Sequence, residues 1–361
     1  TGVQTCALPI CPHALGLAIP LVVATSTSLA AKNGLLIRER NAFEAARRID
    51  VIVFDKTGTL TEGSFEIGGV IVFDDQDEKE VLRLAAALES QSEHPIAEGI
   101  LQEVKKHEIK VPEVENFEAI KGQGIKGQVE GRSIKVMAPG YLDKNDITYD
   151  EEPLQQHQDQ GRTLVFVMED DTVLGAIALG DTIRKESAGA LETLRDMGIR
   201  PMMMTGDKQQ VAAAVAKTLK IDDYFAEVLP DDKAEKIREL RDKGFKVAMT
   251  GDGINDAPAL AEANLGIAVG AGTDVAIETA DIVLVHSNPQ DVANIFRLSH
   301  ATHNKTVQNL IWATGYNVFA IPLAAGVAIP WGIVISPAVG ALIMSLSTVI
   351  VAVNARLLKL T

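Results

Sequence analysis

Val51-Ile52-Val53-Phe54, an unbroken apolar run, leads directly into Asp55-Lys56-Thr57-Gly58-Thr59-Leu60-Thr61. A short apolar run that ends in turn residues reads as a strand buried on both faces, the kind found in parallel sheets. It leaves Asp55 at the strand's carboxyl end, where open α/β sheets carry out their chemistry. The small hydroxyl and glycine residues that follow can wrap an anion with backbone N–H groups. A carboxylate in that setting is suited to accept a phosphoryl group. An Asp at a strand-to-turn junction is unremarkable alone; these seven residues in this order carry the reading.

Downstream of this stretch the pattern alternates. Strands are expected at 201–205, 246–250, 265–269 and 281–285, with helices at 208–219 and 231–243. Such alternation predicts a doubly wound parallel sheet, with Asp55, Thr205 and Asp252 at strand carboxyl ends around one crevice. Residues 74–90 and 95–107 read as amphipathic helices. Residues 117–136 and 163–179 read as short alternating strands with glycine turns at Gly122-Gln123-Gly124 and Gly127, so the middle of the chain is expected to be an inserted α+β domain. Segment 142–160, rich in Asp, Glu and Gln, reads as a solvated loop of that insertion, and the chain returns to the first domain near Asp181-Thr182-Ile183-Arg184.

The chain has 361 residues, 47% of them hydrophobic, enough for two or three domains. Residues 14–31, 306–329 and 331–353 contain no Asp, Glu, Lys, Arg or His, and runs of that length read as membrane-spanning helices. Lys32, Arg38, Arg40, Arg47 and Arg48 follow the first run; Arg297 and Lys305 precede the last two runs, and Arg356 and Lys359 follow them. Basic residues at these ends put the catalytic domains and the C-terminus in the cytoplasm, with the turn at Pro330-Trp331-Gly332 on the far side. A net charge of -15 argues against nucleic acid as a partner. The two cysteines, Cys6 and Cys11, lie in the N-terminal stretch and exclude a disulfide framework. No basic leader or cleavage pattern marks a signal peptide; the N-terminus reads instead as a chain cut inside a membrane helix.

Asp55 to Thr61 is the phosphorylation motif of P-type ATPases, and the chain resembles that family along residues 11–361. Thr205-Gly206-Asp207 resembles its second phosphate motif, Lys233 in Pro230-Asp231-Asp232-Lys233 its motif lysine, and Gly251-Asp252-Gly253-Ile254-Asn255-Asp256-Ala257-Pro258 its hinge and magnesium motif. Cys11-Pro12-His13 and Ser92-Glu93-His94-Pro95 narrow the resemblance to heavy-metal transporters, most closely the copper and silver pumps with Cys-Pro-His. The resemblance implies a haloacid-dehalogenase-like phosphorylation domain with Asp55 as nucleophile toward the γ-phosphate of ATP. Lys56, Thr57, Thr205, Gly206, Asp207, Lys233 and Asn255 are the further catalytic candidates. Magnesium is assigned to Asp55, the Thr57 carbonyl, Asp252 and Asp256, and the adenine to Glu89, His94, Gly122 and Gly124. An Asn the family often carries near Ala138-Pro139-Gly140-Tyr141 is absent. Phosphatases of the dehalogenase type place an acid–base aspartate two residues after the nucleophile; Thr57 cannot serve so, and a long-lived acyl phosphate is expected.

In the membrane, Pro12 frees a backbone carbonyl, and Cys11 and His13 flank it as soft and borderline ligands suited to copper or silver. Asn309, Gly315-Tyr316-Asn317, Pro322 and Pro337, Met344-Ser345, Ser347-Thr348 and Asn354 resemble the subgroup's last two membrane helices. Asn317 and Met344 are the further ligand candidates, while Ser347 and Thr348 read equally well as helix-packing residues. The expected domains are 1–32, a partial membrane helix whose residues 1–10 depart from the resemblance; 33–68 and 179–300, the phosphorylation domain; 69–178, the nucleotide-binding insertion; and 301–361, two membrane helices. The whole is expected to be the C-terminal part of an ATP-driven copper or silver exporter in the plasma membrane. Its partner would be the N-terminal part of the same pump, including the actuator domain. A soluble haloacid-dehalogenase-type phosphatase and a non-catalytic nucleotide- or metal-binding regulatory fragment are the alternatives.

Overall fold

The computed structural model describes residues 13–73, 76–92, 95–120, 122–251, 256–270, 274–332 and 336–360. Val51–Asp55 is buried at every position, as its composition requires, and occupies the interior of a seven-stranded sheet. Across that sheet the strands run Leu35–Ile37, Ile282–Leu284, Leu265–Val269, Val247–Gly251, Val51–Asp55, Arg200–Met204, Asp223–Phe225. All neighbours are parallel except the Leu35–Ile37 edge, which pairs antiparallel with Ile282–Leu284. The chain proceeds outward to one side of Val51–Asp55 and then to the other, so the order reverses there. That reversal opens a crevice at the carboxyl ends.

Strand alternation divides the core between the two faces of this sheet. Ile52, Phe54, Met203, Ala248 and Ile267 face one apolar cluster, and Val51, Val53, Met202, Val247 and Met249 face another. The long helix Pro289–Ala324 contributes Val292, Ala293, Ile295, Phe296 and Leu298 to the first cluster and then continues, unbroken, beyond the domain. The sheet thus grips one end of the element that leads to the apolar helices.

A second, six-stranded antiparallel sheet is inserted between Thr61 and Ile183. Its outer pair, Thr61–Val72 with Thr172–Ile183, is both an edge of the sheet and the two-strand connection to the first domain. Helices Glu78–Glu89 and Pro95–Lys106 cover one face around Leu84, Leu88 and Ile100. Segment 142–160 is not the loop its polarity predicts. It is largely helical, over Pro139–Lys144 and Glu152–Asp159, and buries Leu142 and Leu154 with Phe166 and Met168 on the other face. A one-sided helix needs only one apolar residue per turn or two, which a composition reading passes over.

Helices His13–Lys32 and Pro337–Arg356 are long and apolar enough to cross a bilayer. The remaining run, 306–329, belongs to Pro289–Ala324; that helix ends at Ala324, before the turn expected at Pro330, and Ile329–Trp331 forms a separate short helical turn. Exposed Ile311, Trp312, Val318 and Phe319 line its outer side. Ala14, Ala18, Ala313 and Val351 form the buried seam among the helices, small residues that let backbones approach.

Leu154→Ala should cost about 2–5 kcal/mol, the usual range for emptying a buried leucine site. Exposed Gln155→Ala should stay within about 0.5 kcal/mol. Denaturant unfolding followed by a reporter in the insertion distinguishes the two; equal, negligible effects would restore the loop reading.

Candidate active site

The turn after Val51–Asp55 is built to present its backbone. Gly58 takes a φ of +73°, the left-handed region that only glycine enters without strain. The Thr61 hydroxyl donates to Asp181 Oδ2 at 2.6 Å and lies 2.9 Å from the Lys56 carbonyl oxygen, and Gly63 N donates to Asp181 Oδ1 at 3.0 Å. Arg184 donates to the Gly58 carbonyl at 3.1 Å, and Ser187 Oγ donates to the Leu60 carbonyl at 2.7 Å. Asp181, Arg184 and Ser187 therefore fix the loop from the returning strand and the helix after it. Sequence reading noted Asp181 and Arg184 only as the point of re-entry. Their spacing, an Asp and an Arg three apart where the chain rejoins the loop, is the signal that could have found them.

Lys233 is the centre of the crevice. It opens the helix Lys233–Asp242, is buried, and donates from Nζ to Asp55 Oδ1 at 2.6 Å and to Asp256 Oδ1 at 2.7 Å. Burial alone would depress the ammonium's pKa, but Asp55 and Asp256 outweigh it and raise the value. Gly251 makes room for this arrangement: a Cβ there would lie 2.4 Å from Asp256 Oδ2. Lys56 has a parallel set of partners, with Nζ 2.7 Å from Asp207 Oδ2 and 3.4 Å from Asp181 Oδ2. Asp207 N donates to the buried Thr205 hydroxyl at 3.1 Å. Thr57 and Gly206 are exposed at the mouth of the crevice. The structure thus gathers Asp55, Lys233 and Asp256, and beside them Lys56, Thr205 and Asp207. Asp252 and Asn255 lie outside the described residues.

The donor chemistry here is all oxygen. Asp55 and Asp256 share one ammonium, so the three groups carry a net negative charge, and hard carboxylate oxygens of that balance fit magnesium rather than a soft metal.

A separate cavity of about 560 Å³ lies in the insertion, lined by Glu89, Ser92, Ile96, Gly122, Gly124 and Val136 among others. Its walls are mostly apolar with few polar groups, the make-up of a small-molecule site. Gly124, at φ +147°, could not carry a Cβ, which would sit 2.1 Å from the Val136 carbonyl. Gly122 has φ +72° and open space above it. Glu89 is buried and its Oε2 has no hydrogen-bond partner among the described residues. Burial raises its pKa, opposed by a hydrogen bond with Ser92. Glu89, Gly122 and Gly124 therefore meet around one cavity, while His94 lies outside the described residues.

The candidate ligands for a transported metal are only partly placed. Cys11 lies outside the described residues, and His13 is the first residue of the helix His13–Lys32. Asn317 is buried; its Nδ2 donates to the Ala313 carbonyl at 2.7 Å, and its Oδ1 is without a partner among the described residues. Met344 is half-buried on the helix Pro337–Arg356. No cluster of three or more His, Cys, Asp or Glu side chains forms a metal site among the described residues.

Against known proteins, the haloacid dehalogenase-like hydrolase family matches residues 49–264. A copper-exporting P-type ATPase B of Archaeoglobus fulgidus is 58% identical over 97% of this chain and 50% of its own length. The protein of the same description from Enterococcus hirae is 47% identical over 97% of this chain and 47% of its own length. The crystal structure of a zinc-transporting PIB-type ATPase in the E2.Pi state superposes with a TM-score of 0.83 at 35% identity, covering 96% of this chain and 56% of that one. The chain spans about half the length of the curated relatives it matches. The dehalogenase match covers the strand bearing Asp55 and the helix bearing Lys233, and the apolar helices align with those of metal pumps. The chain therefore belongs to the haloacid dehalogenase-like hydrolases and, within them, to the heavy-metal-transporting P-type ATPases.

Proposed function

We propose that this chain carries the phosphorylation and nucleotide-binding machinery of an ATP-driven heavy-metal exporter, with copper or silver as the cargo. The observation that carries the reading is Lys233 bridging Asp55 and Asp256 at the carboxyl end of the sheet. An Asp55 carboxylate oxygen attacks the γ-phosphorus of ATP, the bond to the β–γ bridging oxygen breaks, and ADP leaves with an aspartyl phosphate behind it. The Lys233 ammonium, already turned toward Asp55, balances charge on the phosphoryl oxygens, as does the Thr205 hydroxyl. Asp55, the Thr57 carbonyl, Asp252 and Asp256 would hold magnesium, with Asn255 beside them, adding positive charge where the phosphoryl group sits. Lys56 and Asp207 hold each other at the loop's edge. Thr57 carries no basic group to activate water, so the acyl phosphate lasts long enough to drive a conformational change.

Adenine is assigned to the cavity of Glu89, Gly122 and Gly124, together with His94. The domains are taken as 33–68 with 179–300 for phosphorylation, 69–178 for the nucleotide, and 1–32 and 301–361 for the membrane. The cytoplasmic side is assigned to the catalytic domains and the C-terminus, in the plasma membrane. Cys11, His13, Asn317 and Met344 are the ligand set offered to the metal; the Asn317 oxygen, without a partner among the described residues, supports its place in that set. Relatives about twice as long support a partner segment from the same pump that includes the actuator domain.

Asp55→Asn should abolish acid-stable phosphoenzyme from γ-labelled ATP while nucleotide binding persists; undiminished labelling would remove Asp55 from its role. Lys233→Ala should lower the phosphorylation rate by about 10²–10³-fold, the scale of losing one buried electrostatic stabiliser. Gly124→Val should raise the ATP concentration for half-maximal phosphorylation by about tenfold, one contact of about 1.4 kcal/mol. Its phosphorylation by inorganic phosphate in the full-length pump should stay at the wild-type level. In the full-length pump, Cys11→Ser with His13→Ala should remove metal-stimulated ATP hydrolysis and leave the soluble domains folded; normal metal-dependent turnover would contradict the site.

A further inference from the structure

Asn309 is fully buried in the apolar half of Pro289–Ala324. Its Nδ2 donates to the Ala18 carbonyl at 3.2 Å on one helix and to the Val351 carbonyl at 3.3 Å on another. Its Oδ1 accepts from Asn354 Nδ2 at 2.8 Å, and Asn354 Oδ1 accepts from Lys305 Nζ at 2.9 Å. The donors and acceptors fix both amide orientations. Turning Asn309 over would face its oxygen with two carbonyls, and turning Asn354 over would face its amide with an ammonium. The result is a directed chain, from Lys305 through Asn354 and Asn309 to two backbone carbonyls, with a longer side branch from Asn354 Nδ2 to Gln308 Oε1 at 3.4 Å. The chain runs from partly exposed Lys305 and Asn354 to fully buried Asn309, where the links polarise one another most.

We propose that Asn309 is a positioning residue that couples the phosphorylation domain to the transport helices, and that it is not a ligand for the metal. Three observations support this. Its oxygen is engaged by Asn354 and both donor contacts go to backbone, in contrast to Asn317, whose Oδ1 has no partner among the described residues. It stands eight residues before Asn317 on the same helix, about 12 Å along the axis at 1.5 Å per residue. From one apolar helix it touches the other two, at the seam of Ala14, Ala18, Ala313 and Val351, while the far end of its own helix is held in the core under the sheet that carries Asp55. A shift of that helix therefore reaches the segment following Cys-Pro-His through one amide.

The inference rests on the pump reading, and wild-type metal-stimulated hydrolysis in the full-length protein tests that reading separately. In the full-length protein, Asn309→Ala and Asn354→Ala should each lower metal-stimulated kcat by about tenfold or more. Each should leave the metal concentration for half-maximal stimulation within about twofold, and ATP-dependent phosphoenzyme labelling near the wild-type level. Asn309→Asp keeps the acceptor but loses both donors and should fail like Asn309→Ala. Asn309→Gln, which restores donors, should recover part of kcat. With wild type active, a shift in metal dependence at unchanged kcat would make Asn309 part of the metal site and overturn the proposal. Unaltered kcat in Asn309→Ala or Asn354→Ala would also overturn it.

Discussion

Each of two buried lysines is set between a pair of aspartates. Lys233 lies between Asp55 and Asp256, and Lys56 lies against Asp207 and Asp181. Taking any one of these charges out of water alone would cost several kcal/mol, and the sets persist because each ammonium answers two carboxylates. Removing Lys233 would take away the one ammonium that both Asp55 and Asp256 accept from. The rest of the site is arranged around that constraint. Gly251 clears space for Asp256, and Asp181 holds the loop after Asp55 while also meeting Lys56. The surplus negative charge around each lysine then gives a cation a reason to be there.

The two sheets divide the work by their physical character. The parallel sheet is buried on both faces and ends in a crevice, so it can hold a charged side chain such as Asp55 rigidly. The antiparallel insertion is joined to it by two strands, Thr61–Val72 and Thr172–Ile183, also packs its helix Glu152–Asp159 against Gln209–Leu219, and carries the cavity with Glu89. Pro289–Ala324 meanwhile extends from the core beneath Asp55 into the apolar helices without a break, so strain at one end can be felt at the other.

Much of this was legible in the sequence because the deciding signals are local. Val51 to Asp55 is strand, and Asp55 lies at its carboxyl end, as the apolar run predicts; Thr205 follows directly on Arg200–Met204. Gly122 and Gly124 marked a turn whose positive φ values and crowded backbone are visible only in the structure. What was not legible depends on distant contacts. Nothing near Lys233 in sequence says that it is buried, because the two carboxylates that hold it come from residues far apart in the chain. The edge strand Leu35–Ile37 is too short to carry a period, and it exists because Ile282–Leu284 offers it a partner. The helices within 142–160 were hidden by their polar faces, and Asn309 and Asn354 gave no sign of pointing at each other across two helices.

The central claim is that Asp55, held by Lys233, is the group that takes the phosphoryl from ATP. The most direct measurement is to phosphorylate the full-length protein with ATP and magnesium, reduce the acyl phosphate with borohydride, and locate the modified residue by mass spectrometry. The account predicts homoserine at position 55 and at no other aspartate. Reduction at Asp207, Asp252 or Asp256, or no modified residue in a protein that hydrolyses ATP, would contradict it.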